Sequence, residues 1–147
     1  MNRSMVIAEW QRAWRALRAA ELLAREGLYE DAVSRAYYAT LHAAKAALFI
    51  HDVATESHAA VRRMFGLHLI RSGEIESIWS SNLGESLDDR LAADYDASVS
   101  FSSEEASQEC QRTRAFLDCI HRYLLAQGLT DNELGTEVGN ASVYHRP

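Results

Sequence analysis

The chain of 147 residues contains one proline, Pro147, so before its final position no pyrrolidine ring removes a backbone N–H or forces a kink. Alanine, leucine, arginine and glutamate, all strong helix formers, dominate what is left. A chain so free of helix breakers is predicted to be all-α, and at this length one core can form without a disulfide or a metal. No apolar run reaches the ~18 residues of a membrane span, and charges interrupt the first turns, so neither a spanning helix nor a secretory leader is expected. A cytoplasmic protein is the corresponding expectation. Cys110 and Cys119 lie nine residues apart, about half a turn of azimuth on one helix, so they are expected on opposite faces as reduced thiols.

Apolar periodicity and glycine punctuation divide the chain into five helices. The first runs from about Ser4 to Glu26 on Ile7, Trp10, Trp14, Leu17 and Ala20, with Gly27 as its C-terminal cap and Arg12, Arg15, Arg18 and Arg25 on its other face. The second covers about Tyr29 to Ile50, with Val33, Tyr37, Leu41, Ala44 and Leu48 as its core stripe. Ser57 is the expected N-cap of a third helix carrying Val61, Met64, Phe65 and Leu69, and a fourth spans about Ile75 to Ala93, weakened by Gly84. Ser102 and Glu105 fit a capping box opening a fifth helix on Ala106, Cys110, Thr113, Leu117, Ile120 and Leu124. Together these predict an antiparallel bundle of four to five helices over residues 1–128. Residues 129–147 lose the periodicity and are expected to be a flexible tail.

The stretch from Arg35 to His42 concentrates the chemistry. Seven residues are two helical turns, which puts the two side chains about 20° apart in azimuth and about 10.5 Å apart along the axis. Arginine is always charged and binds phosphate; histidine, with a reference pKa of about 6.5, exchanges protons near neutrality. A second stripe of this helix, Arg35, Tyr38, Ala39, His42, Ala46 and Phe49, is too apolar for solvent, and the alanines at 39, 43 and 46 permit a close helix neighbour. The simplest supplier is the same helix of a second copy across a two-fold axis, setting Arg35 of one chain beside His42 of the other. Residues 1–73 hold ten Lys and Arg against seven Asp and Glu, while residues 74–147 hold five against fourteen, so a basic half can face phosphate although the whole chain is acidic. His58 and His68 are ten residues apart and form no i, i+4 pair; neither a metal nor a cofactor is expected.

The run Gly27-Leu28-Tyr29-Glu30-Asp31-Ala32-Val33-Ser34-Arg35-Ala36-Tyr37-Tyr38-Ala39-Thr40-Leu41-His42-Ala43-Ala44-Lys45-Ala46 resembles the signature helix of the HEPN superfamily, in its small stand-alone prokaryotic branch. Ser57-His58 leading to Phe65-Gly66-Leu67-His68, and Arg90-Leu91-Ala92-Ala93-Asp94-Tyr95-Asp96 followed by Glu104-Glu105-Ala106, extend the resemblance over about residues 10–125. The resemblance implies a dimerising helical bundle and, in active members, a metal-independent endoribonuclease with an Arg-x(4 to 6)-His motif, here Arg35 and His42. It also implies a toxin paired with a minimal nucleotidyltransferase antitoxin, RNA as substrate and a 2′,3′-cyclic phosphate product. Tyr38, Ser34 and Lys45 are the candidate substrate-binding residues beside that pair. The chain departs from the pattern at Ala36, where active members often carry a polar residue, and at Ala44, where some carry a modifiable tyrosine. Ser34, Tyr38 or Thr40 are the candidates to orient His42 in place of that polar group. A non-catalytic dimer that binds a nucleotide, RNA or a protein is the alternative reading.

Overall fold

α1 (Arg3–Arg25) and α2 (Tyr29–Phe49) form an antiparallel hairpin whose reversal occupies three residues. Gly27 turns the chain there at a φ of +82°, a conformation in which a side chain would be strained. Asn2 caps α1 by accepting from the Met5 N–H, and its own N–H donates to the Phe49 carbonyl at 3.1 Å, tying the start of α1 to the end of α2. The computed structural model describes residues 1–135, and side chains 86–88 and 91–93 lie outside that description, among them Leu87 and Leu91 of the expected fourth-helix stripe.

Small side chains determine how the hairpin closes. Ala13, Ala16 and Ala20 of α1 and Ala36, Ala39, Ala43 and Ala46 of α2 are all buried, and Ala20 packs with Ala36 in one cluster. Residues that stop at Cβ let two helix axes approach closely. The alanine stripe that sequence reasoning reserved for a second copy is therefore covered within the chain, because α1 brings alanines of its own to meet it. The expected stripe of α1 is also rotated slightly: Val6, Trp10, Ala13, Leu17 and Ala20 are buried, whereas Ile7 and Trp14 are partly exposed.

α3 (His58–Phe65) starts on the Ser57 cap, whose hydroxyl accepts from the Ala60 N–H at 3.0 Å, and runs on through a wide turn over Gly66–Ile70. α4 (Ile78–Tyr95) begins later than the periodicity predicts, since Ile75 is spent in the preceding turn with its side chain buried. At Gly84 the Arg62 guanidinium packs close to the backbone, its Nη2 2.7 Å from where a Cβ would lie. α5 (Ser103–Ala126) opens with the expected capping box of Ser102 and Glu105. It lies parallel to α2, with the Thr40 hydroxyl donating to the Ala36 carbonyl at 3.2 Å and contacting Thr113 Oγ1 at 3.4 Å. Phe65, Phe116, Leu117 and Ile120 are fully buried, and each such side chain contributes about 1.5–3 kcal/mol by leaving water. Arg112 ties α5 to α4 by holding Glu85 at 2.5 Å and Asp89 at 2.7 Å while also contacting Glu109.

The stretch read as tail holds a further short helix, α6 (Asp131–Leu134), capped by Thr130 and Glu133. Leu129 and Leu134 are buried, Arg3 grips Glu133 at 2.7 Å, and His121 holds Asp131 at 2.9 Å. Two leucines at this spacing supply an apolar anchor too brief to register as periodicity. Residues 136–147 of the expected tail lie outside the described residues. Among the described residues no helix is long and apolar enough to cross a membrane.

Candidate active site

Of the two motif residues, Arg35 sits on a part of α2 that the rest of the bundle leaves open and His42 lies at the α1–α2 seam. Arg35 is exposed, makes no ion pair among the described residues, and rests its guanidinium 5.8 Å from the centre of the Tyr38 ring. His42 is more enclosed, with a side chain 15 % exposed. Its Nδ1 lies 2.6 Å from Glu9 Oε2 across the α1–α2 seam, and Lys45 Nζ lies 3.6 Å from the other oxygen of the same carboxylate. Burial works to raise the pKa of Glu9, but its hydrogen bond to His42 and the charge of Lys45 outweigh this and hold the carboxyl below its ordinary range. Glu9 is thus an anion that can only accept, so Nδ1 of His42 carries the hydrogen and donates it to the carboxylate.

The orienting group differs from those proposed on sequence grounds. Thr40 is buried against Thr113 and Ala36, and Ser34 lines neither hollow beside His42. Tyr38 is engaged elsewhere, its hydroxyl accepting from Arg90 Nη2 at 3.0 Å. Sequence reasoning missed Glu9, for which one signal existed: it is the only carboxylate among the first 20 residues, a stretch otherwise basic in its charges. Ala36, where the family pattern often has a polar residue, is fully buried against Ala20 and Cys110, so it faces away from the site.

Two hollows meet at Tyr38 and His42. One, of about 350 Å³, is lined by Arg12, Arg15, Ala16, Ala19 and Arg35 together with those two residues. The small alanines open it and three arginines make it positive. The other, of about 200 Å³, is lined by Lys45, Leu41, Val61 and the segment 55–58 in addition to Tyr38 and His42. Of the candidate substrate-binding residues, Tyr38 and Lys45 are therefore brought to the site and Ser34 is not. Tyr37 belongs to the core, where burial pushes its hydroxyl up to about 12. Arg90 pairs with Asp94 one turn along α4 at 2.8 Å, and its guanidinium lies over Tyr37 at 5.6 Å and Tyr38 at 5.4 Å, so it packs beneath these two rings.

The chain resembles "Putative toxin MJ0605" of Methanocaldococcus jannaschii, with 39 % identity over 108 residues, covering 74 % of this chain and 80 % of that protein. "Putative toxin MJ0142" of the same organism is 29 % identical over 123 residues, 84 % of each chain. "UPF0332 protein PH1297" of Pyrococcus horikoshii is 43 % identical over 74 residues, covering 50 % of this chain and 52 % of that one. The model of the HEPN domain matches residues 7–123, a span that takes in Glu9, Arg35, His42 and the buried seam that positions them, and the chain belongs to the HEPN domain family.

Proposed function

We propose that this toxin-like HEPN protein is a metal-independent endoribonuclease acting through Arg35 and His42. The observation that carries the reading is the Glu9–His42 contact of 2.6 Å beside a hollow walled by Arg12, Arg15 and Arg35. A carboxylate that fixes one imidazole nitrogen leaves the other aimed at reacting atoms, and a cationic wall holds the phosphodiester that must lie there. Arg35 offsets charge on the non-bridging oxygens while His42 exchanges protons with the ribose and the leaving oxygen, giving a 2′,3′-cyclic phosphate and a 5′-hydroxyl. A nuclease of this kind is tolerated by its own cell only when restrained, which fits the toxin names of its relatives and a nucleotidyltransferase antitoxin as partner.

The alanine stripe no longer argues for a dimer, since α1 covers it, but the axial gap does. Arg35 and His42 line one hollow of a single chain but start two helical turns apart, about 10.5 Å along the axis, whereas an antiparallel second copy sets Arg35 of one chain directly beside His42 of the other. Purified protein in EDTA should cut single-stranded RNA, and Arg35→Ala or His42→Ala should each lower the rate by about 10²-fold or more with the helical circular dichroism unchanged. Equal activity in wild type and both variants would sink the enzyme reading in favour of a binding dimer.

A further inference from the structure

The smaller hollow contains a second imidazole. Ser57 caps α3 and so places His58 as the first residue of that helix, facing α2 rather than solvent. Its ring lies 5.4 Å from the centre of Tyr37 and 6.4 Å from that of Tyr38, and it lines the same hollow of about 200 Å³ as His42 and Lys45. No carboxylate pairs with it among the described residues, in contrast to His42. Two imidazoles with opposite electrostatic settings around one hollow form the arrangement that a reaction with two proton transfers requires.

We infer that His58 is a second proton carrier of this site, removing the 2′-hydroxyl proton while His42 delivers a proton to the departing 5′-oxygen. This rests on the ribonuclease reading and divides its chemistry between two side chains of one chain. His58 accepts the proton as the 2′-oxygen forms its bond to phosphorus. The bond from phosphorus to the 5′-oxygen breaks, the electron pair leaves with that oxygen, and the imidazolium of His42 protonates it. Exchange of one proton with water resets both rings, and no oxidant, metal or further reactant enters.

The charges around each ring suit these roles. His58 meets Tyr37, Tyr38, His42 and Lys45 from α2, Arg90 from α4 and Glu56 from the loop before α3. Burial, reinforced by the positive charges of Arg90 and Lys45 and by His42, lowers its pKa, so it is neutral and ready to accept at neutral pH. His42 has the carboxylate of Glu9 to balance its positive form.

The test is a single-turnover pH–rate profile of the full chain in EDTA on a fluorogenic oligoribonucleotide, with wild type, His58→Asn and His58→Gln. The expected result is a bell for wild type and, in both variants, a maximal rate lower by about 10²–10⁴-fold with the low-pH limb lost. Binding of the uncleavable 2′-deoxy oligonucleotide should be unchanged, and added imidazole should restore part of the rate to His58→Ala. Variants that cut within threefold of wild type with both limbs intact overturn the inference alone. Loss of oligonucleotide binding in step with the rate, without rescue by imidazole, also overturns it, since His58 would then be structural. A wild type that cuts no RNA overturns the ribonuclease reading and this inference together.

Discussion

Replacing Glu9 by glutamine tests the arrangement on which the site reading depends. The change keeps the shape of the side chain and removes only its charge. In the wild type the carboxylate accepts from His42 Nδ1 at 2.6 Å and lies 3.6 Å from Lys45 Nζ. A hydrogen bond to a charged partner is worth about 1.5–3 kcal/mol against about 0.5–1.5 for a neutral one, so the substitution should cost about 1 kcal/mol of stability. In a domain of about 150 residues that lowers the melting temperature by roughly 2–4 °C. Activity should fall much further, because a neutral glutamine amide neither fixes the hydrogen on Nδ1 nor balances the charged ring through which proton exchange at His42 passes. Carboxylates that orient a histidine are worth about 10–100-fold in related settings, and this is the expected loss in rate. The assay pairs single-turnover cleavage of a labelled oligoribonucleotide in EDTA with a thermal melt. Cleavage at the wild-type rate with an unchanged pH profile would refute the orienting role of Glu9. A melting temperature lowered by tens of degrees would refute the claim that its role is local.

Two other expectations follow from the charges. Arg12→Ala and Arg15→Ala line the positive hollow without belonging to the motif, so each should weaken single-stranded RNA binding and reduce the salt slope by about 0.7; an unchanged slope would show that the hollow is not the RNA path. Glu109 is held at about 7, well above the ordinary carboxylate range, by burial and by its hydrogen bond with Asp89, against the opposing charge of Arg112. Because the folded state then keeps a proton that the unfolded chain has released, stability should fall as pH rises from about 4.5 towards about 7, and Glu109→Gln should flatten that fall in a series of thermal melts.

The parts of the fold legible in the sequence were those governed by neighbours a few residues away. Periodicity located the main helices, the pairing of Ser102 with Glu105 identified the start of α5, and the seven-residue spacing put Arg35 and His42 beside one hollow. What failed were inferences about which face meets which. The alanines of α2 announced a close helix neighbour correctly, but nothing local says whether that neighbour belongs to the same chain. α6 escaped notice because four helical residues and two anchoring leucines are too short a signal.

The sequence by itself therefore determined that this chain is a helical bundle and that an arginine and a histidine share one stripe, since both follow from backbone propensity and the angle per residue. Only the tertiary structure decided that Glu9 holds His42 from 33 positions away and that α1 covers the alanine stripe. It alone also carried His58 round to the same hollow. The physical reason is that helix geometry is set within a few residues, whereas the pairing of helix faces minimises exposed apolar area and unfilled volume over the whole chain at once.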